Sequence, residues 1–246
     1  MDKFDNDNFT EYFKDKNVFE TANIADYYCQ TGEELKPTTV NWRIYSLVQK
    51  GILQRIGKGK FAFGIEKPFI PEVPDKLKSV YAKIHREFPF IKICAWHTAV
   101  LNEFMQHQQG KFYHLIEVDK DSADAVFYFL KEAKFSVFLN PNRDILDKYT
   151  PENKDVFIVK PLVSEAPIQE INGVFSISIE KMLVDIFCDD VLFAAQQGAE
   201  MRTIFHEALS KYTVNQNKML RYANRRKRKE SFNNYLKTIT NFRQQY

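Results

Sequence analysis

The sequence predicts an α/β protein of the α+β kind. A winged helix-turn-helix covers residues 1–66, a Pro-rich linker 67–74, and a larger mixed domain 75–246 whose part from about 178 onward is helical. Three observations carry this. Helical periodicity in the first 50 residues runs into a glycine-turned hairpin. KPFIPEVP (Lys67 to Pro74) then places three prolines in eight residues, each disfavouring helix before it. Beyond it strand and helix patterns alternate as far as Ile177, after which only helical patterns follow.

In order along the chain, helices are expected over Asn8 to Lys16 and Thr21 to Gln30, the second with Ile24, Ala25 and Tyr28 on one face. A third begins at Pro37, whose fixed φ suits a first helical turn, and stops at Gly51. Val40, Ile44, Leu47 and Val48 repeat at helical spacing and form its inner face. Two short runs, Ile52–Ile56 and Lys60–Phe63, flank Gly57-Lys58-Gly59 and read as a hairpin.

After the linker come a helix over Asp75 to Phe88, an apolar run at Phe90–Ala95, and a helix from Thr98 to Gln106. Phe112–Val118 and Phe135–Leu139 read as strands on either side of a helix over Ser122–Ala133. Asp155–Lys160 and Val174–Ile177 are further strands. Helices near Ile179–Phe187, Met201–Tyr212, Asn215–Lys229 and Phe232–Phe242 complete the chain. In the last, Phe232, Tyr235, Leu236, Ile239 and Phe242 supply an apolar face for docking on the body.

Composition narrows the class. The chain has 246 residues, 44% of them apolar, which suits one or two domains with sizeable cores. Eight Gly and nine Pro spread through a varied sequence exclude collagen and low-complexity tracts. No apolar run approaches the roughly 20 residues needed to cross a bilayer, and the acidic start lacks the apolar stretch of a secretory signal. Cys29, Cys94 and Cys188 are scattered, with no CxxC spacing. Reduced thiols, a cytoplasmic location and no membrane partner are therefore expected.

The net charge of +3 hides a sorted distribution. Residues 36–60 carry six cations (Lys36, Arg43, Lys50, Arg55, Lys58, Lys60) and no acid; residues 211–246 carry ten cations against Glu230 alone. The two stretches between and before them are each net −6. Turning the apolar row of the third helix inward turns Thr38, Trp42, Tyr45, Ser46 and Gln49 outward, flanked by Thr39 and Arg43. Such groups on the first half of a helix can reach base edges in a major groove, and an acid-free face suits phosphates. Thr38, Thr39, Trp42, Arg43 and Ser46, with Arg55, Lys58 and Lys60 on the wing, are the candidate DNA-binding residues, and double-stranded DNA the candidate partner. The bland alternative is a protein-interaction module with an ordinary solvated face.

A second basic run holds Lys218, Arg221, Arg225, Arg226, Lys227, Arg228 and Lys229. Spread around one helix, these cations could grip phosphate without reading bases, or simply face solvent.

Residues 19–64, FETANIADYYCQTGEELKPTTVNWRIYSLVQKGILQRIGKGKFAFG, resemble the winged-helix N-terminus of AbiEi-type antitoxins. The family spacing L-x-x-L-x-x-x-G-x-L-x-R-x-x-x-G-x-Y is met by Ile44, Leu47, Gly51, Leu53, Arg55, Gly59 and Phe61, with Phe61 in place of the usual Tyr. Ser178 to Asp185 is similar to that family's s-P-E-K-t-l-v-D helix start, with Ile179 replacing the proline, and Tyr222 to Arg226 fits its basic run. The resemblance implies an autorepressor of a type IV toxin–antitoxin system, of the abortive-infection kind used in phage defence. It would bind an inverted repeat in its own promoter. Its partner would be a nucleotidyltransferase toxin, countered without a required stable complex.

Catalytic signals are thinner. Glu117 and Asp119 alternate onto one side of a strand, as metal-binding carboxylates of nucleotidyltransferases do, but NEFMQHQQGKF upstream lacks the accompanying Gly-Ser turn. Two acids at a strand end are more often solvated. A Cys94/His97 dyad reads better as a buried thiol beside a turn histidine, and Asp185, Asp189 and Asp190 as the solvent-facing side of a helix. The five histidines have no paired-ligand spacing. The expectation is a regulator, not an enzyme, with no cofactor or metal; the alternatives are a nucleotidyltransferase-like enzyme using Glu117 and Asp119, or an interaction scaffold.

Overall fold

Aromatic residues build the beginning of the chain. In the computed structural model, which describes residues 6–14, 16, 18–32, 35–49, 52–57, 59–64, 67–150 and 155–242, helix α1 spans Asn6–Phe13 and α2 Thr21–Gln30. Phe13 stacks on Phe19 with centroids 4.6 Å apart, and Phe9 meets Tyr27 edge-on at 5.3 Å. The Asn23 carboxamide accepts the Glu20 N–H at 2.9 Å, which fixes where α2 starts. Helix α3, Pro37–Gln49, turns Val40, Ile44 and Leu47 inward, each at most 4% exposed, with Val48 half-buried beside them.

Strands β2 (Leu53–Gly57) and β3 (Lys60–Phe63) form the hairpin. Gly59 sits at the turn with φ +70°, a conformation that costs glycine little, and its carbonyl accepts the Thr21 N–H at 3.0 Å. The sheet has a third strand that the sequence does not announce. Phe19–Glu20 (β1) pairs antiparallel with Phe61 and Lys60, giving the order β1-β3-β2. Two residues are too few to display an alternating pattern. Gly51, the expected end of α3, lies outside the described residues, as does Lys58.

The chain divides into two units, Met1–Pro68 with Leu209–Gln216, and Phe69–Ala208 with Asn217–Tyr246. The sequence instead places everything from 75 onward in one domain. In the first unit the Lys67 carbonyl accepts the Thr213 N–H at 3.3 Å, and the Lys67 ammonium lies 4.9 Å from the Tyr212 ring centroid.

The second unit is mixed α and β, built on a four-stranded sheet ordered β4-β5-β7-β6. Its elements begin with α4 (Asp75–Glu87), β4 (Ile93–His97), β5 (Tyr113–Val118), α5 (Ala123–Glu132) and β6 (Ser136–Leu139). They continue through α6 (Arg143–Tyr149), β7 (Val156–Pro161), the hairpin β8 (Ile168–Ile171) and β9 (Val174–Ile177), and α7 (Ile179–Cys188). Helices α8 (Ala199–Lys211), α9 (Gln216–Arg225) and α10 (Lys229–Phe242) follow. Strand β4 runs antiparallel to β5; β5, β7 and β6 are mutually parallel. The two central strands are covered on both faces: Leu115, Ile116, Phe157, Ile158 and Val159 are at most 1% exposed.

Alternation along β4 and β5 sorts the faces. Ile93, Ala95, Ile116 and Val118 pack with Leu77, Val80 and Ile84 of α4 and Val126 and Leu130 of α5. The opposite parity presents Cys94, Trp96, Leu115 and Glu117 on the face covered by α7, whose Lys181 reaches Glu117.

Several expectations need correction. The helix expected from Thr98 to Gln106 is a 3-10 stretch, Thr98–Phe104, and α6 and β8 have no counterpart among the expected elements. The helix expected over Asn215–Lys229 ends at Arg225. There Lys227 takes φ +57°, its N–H bonds to Asn224, and Arg228 N–H bonds to Ala223. This is the closure usually built on Gly, so a lysine in that role leaves no mark in the sequence. Among the described residues no helix is long and apolar enough to cross a membrane.

Candidate functional site

The outer face of α3 is polar and aromatic. Thr38, Trp42 and Tyr45 are exposed, the two rings at 61% and 62%, while Thr39 and Ser46 are half-buried. Arg43 leans on its neighbour: its guanidinium lies 4.6 Å from the Tyr28 ring centroid of α2. That stacking pre-orients the cation beside the helix start. On the wing, exposed Arg55 lies 5.4 Å from the Phe61 ring centroid.

Lys60 is less isolated than its sequence neighbourhood suggests. Strand β1 brings Glu20 opposite it, with Nζ 3.8 Å from the carboxylate and both groups more than half exposed. The surface is acid-free along residues 36–60 but not in space. At that exposure the pair is worth little and yields readily to a phosphate.

The second basic run is split three ways. Lys218, Arg221, Lys227, Arg228 and Lys229 are exposed. Arg225 pairs with Glu165 at the surface. Arg226 points inward, its guanidinium donating to Asp185 Oδ1 at 2.8 Å. The expectation that all seven cations present themselves to phosphate therefore fails at Arg226, and Arg225 is already engaged.

Arg226 belongs to a buried ionic cluster. Lys181, fully buried on α7, donates to both Glu117 oxygens at 2.6 and 2.8 Å and also to Asp185 one turn along. Trp96 Nε1 donates to Glu117 at 3.0 Å, and the Tyr222 hydroxyl to Asp185 at 2.8 Å. Two carboxylates face two cations, and every charged member is hydrogen-bonded. Burial opposes the Lys181 charge, but Asp185 and Glu117 outweigh it and hold the ammonium well above its usual value. Burial, reinforced by Asp185, raises the Tyr222 hydroxyl likewise, so it remains a donor.

Asp185 is thus interior, not solvent-facing, and Glu117 is interior, not solvated. Asp189, beyond the end of α7, pairs with Lys160. The missed signal lies within IEKMLVDIFC: a helix apolar all round is buried, so Lys181 and Asp185, four apart on it, must satisfy each other inside.

The carboxylates of the enzymatic alternative are both engaged. Glu117 is held by Lys181 and Trp96, and Asp119 accepts the Lys92 N–H at 2.8 Å. Among the described residues no group of three or more His, Cys, Asp or Glu is placed to hold a metal ion. Cys94 is fully buried, and burial pushes its thiol up, away from the reactive thiolate. His97 ends β4, where it pairs across the sheet with His114, the rings 4.5 Å apart. Burial and then His114 hold His97 down to about 4.

Against known proteins, a family of unknown function, DUF6577, matches residues 39–241. No curated protein matches the chain.

Proposed function

We propose that this chain, which belongs to the DUF6577 family, is a cytoplasmic DNA-binding transcriptional autorepressor. One observation carries the reading: α3 bears no acid, exposes Thr38, Trp42 and Tyr45 along its outer face, and stands beside a three-stranded sheet with Arg55 on its wing. The hydroxyl and aromatic groups suit base edges and thymine methyls; Arg43, Arg55, Lys58 and Lys60 suit the flanking phosphates. The exposed part of the second basic run, Lys218, Arg221 and Lys227 to Lys229, adds affinity without sequence information.

The biological setting rests on the AbiEi-like motifs. In this reading the chain is the antitoxin of a type IV toxin–antitoxin system and counters a nucleotidyltransferase toxin. The buried cluster is then the frame of the second unit, with no reaction assigned to it. A mobility-shift assay on the chain's own promoter tests the DNA reading. The native chain should prefer an inverted repeat there, and Trp42→Ala with Arg43→Ala should abolish that preference. Preference unchanged by the double substitution would remove α3 from the interface. Co-expression with a nucleotidyltransferase encoded beside it should relieve growth arrest; arrest that persists would rule out the antitoxin role.

A further inference from the structure

Past the end of β4, a cavity of about 230 Å³ opens in the second unit. Phe193 and Gln196 line it from the turn after α7, Gln109 and Lys111 from the approach to β5, and Arg143 and Asp147 from α6. Phe193 is itself fixed, 2% exposed and stacked on Trp96 at 5.9 Å.

The polar groups around this space are under-used. Gln196 is more than nine-tenths buried, yet its carboxamide makes only a 3.8 Å contact from Nε2 to the Met105 sulfur, a weak acceptor. A buried amide normally finds stronger partners. Lys111 Nζ donates to the Leu146 carbonyl at 3.1 Å, which anchors the ammonium at the cavity and leaves two N–H groups to give. Among the described residues Arg143 has no carboxylate partner.

We propose that this cavity is a binding site for a nucleoside monophosphate. Two cations suit a phosphate monoester, and the buried, under-used Gln196 carboxamide suits the edge of a base, with the fixed Phe193 as apolar wall. Asp147, one turn beyond Arg143, suits a ribose hydroxyl. Inorganic phosphate alone uses only the cations and meets Asp147 as a like charge. The volume lies below the roughly 300–1,000 Å³ of ordinary ligand pockets, which favours a mononucleotide over a dinucleotide. The cavity residues belong to the second unit and α3 to the first, and the proposal does not depend on the DNA reading.

The test is calorimetric titration of the full chain with AMP, GMP, CMP and UMP in turn, and with inorganic phosphate. At least one nucleotide should bind with Kd below about 1 mM, and phosphate at least about tenfold more weakly. Lys111→Ala with Arg143→Ala, both on the accessible rim, should weaken that nucleotide at least about tenfold. Gln196→Leu should reduce the preference for one base over the others. The proposal is overturned if no nucleotide binds at about 10 mM, if phosphate binds as tightly, or if the Lys111/Arg143 variant binds undiminished.

Discussion

The two basic stretches of this chain hold their cations in different places. Along 36–60 the described cations stay at the surface: Lys36, Arg55 and Lys60 are exposed, and Arg43 rests half-buried on a tyrosine ring. Along 218–229 the run is divided among solvent, a surface ion pair at Arg225 and the interior at Arg226. The denser run of cations along the sequence is therefore not the one that keeps all its charge at the surface. What decides is whether the core behind each stretch contains a carboxylate in need of neutralising. The first unit's core cluster is apolar and aromatic, whereas the second buries Glu117 and Asp185.

The sharpest way to break this contrast is to remove the central cation. Lys181→Met leaves Glu117 with the Trp96 N–H and no cation, and Asp185 with Arg226 and the Tyr222 hydroxyl. It should destabilise the chain by about 3–5 kcal/mol in denaturant unfolding. A loss below about 1 kcal/mol would mean that the cluster is not the electrostatic centre of the second unit.

Next in size is the recognition surface. Trp42→Ala with Thr38→Ala changes exposed groups, so the melting temperature should hardly move. Discrimination between the promoter repeat and unrelated DNA should nevertheless fall by about 1–3 kcal/mol in competition mobility shifts. A fall in stability with discrimination intact would assign these side chains to packing instead.

The second basic run separates into its parts. Neutralising Lys227, Arg228 and Lys229 to Gln should lower the slope of log K against log salt by up to about 2.7, since each phosphate neutralised by a cation adds about 0.9 to it. Arg226→Gln should leave that slope alone and lower stability, because its guanidinium serves Asp185. If Arg226→Gln flattens the slope as much as its neighbours do, the inward assignment is wrong.

The smallest expected effect is with pH. His97, held down to about 4 against an ordinary 6.5, and His114, also held down by burial, bind protons more readily in the unfolded chain. Stability should therefore be fully present above pH 6.5 and decline as pH falls toward 4. Asp155, hydrogen-bonded to Lys76 and then to His114, sits below its usual 3.8, so its own loss comes in more acid solution. His97→Asn with His114→Phe should flatten the thermal-melting profile between those two pH values. An unchanged profile would place the titration elsewhere.

Much of the first unit is legible in the sequence because its elements rest on local signals. Thr21 to Gln30, Pro37 and the Val40-Ile44-Leu47 row stand where periodicity and a helix-starting proline put them. The two-residue β1 is not legible, and with it comes Glu20 beside Lys60. In the second unit the strands of the four-stranded sheet follow from their apolar runs, but β8 does not, and the expected α9 overruns its true end because Lys227 occupies a position usually marked by glycine. The partners of Glu117 are hidden for a different reason. Lys181 lies 64 positions beyond it and Trp96 21 before it, and no local pattern links a strand acid to partners so distant.

The sequence by itself determined the α/β class, the proline-marked passage near residue 68 and the inner row of α3, since each depends on neighbours within a few residues. Tertiary structure alone decided which charges face water. The carboxylates buried on β5 and α7, Glu117 and Asp185, must be neutralised where they lie, and the chain meets that need with whichever cations the fold brings within hydrogen-bonding distance. That choice took Lys181 and Arg226 inside and left Lys227 to Lys229 outside.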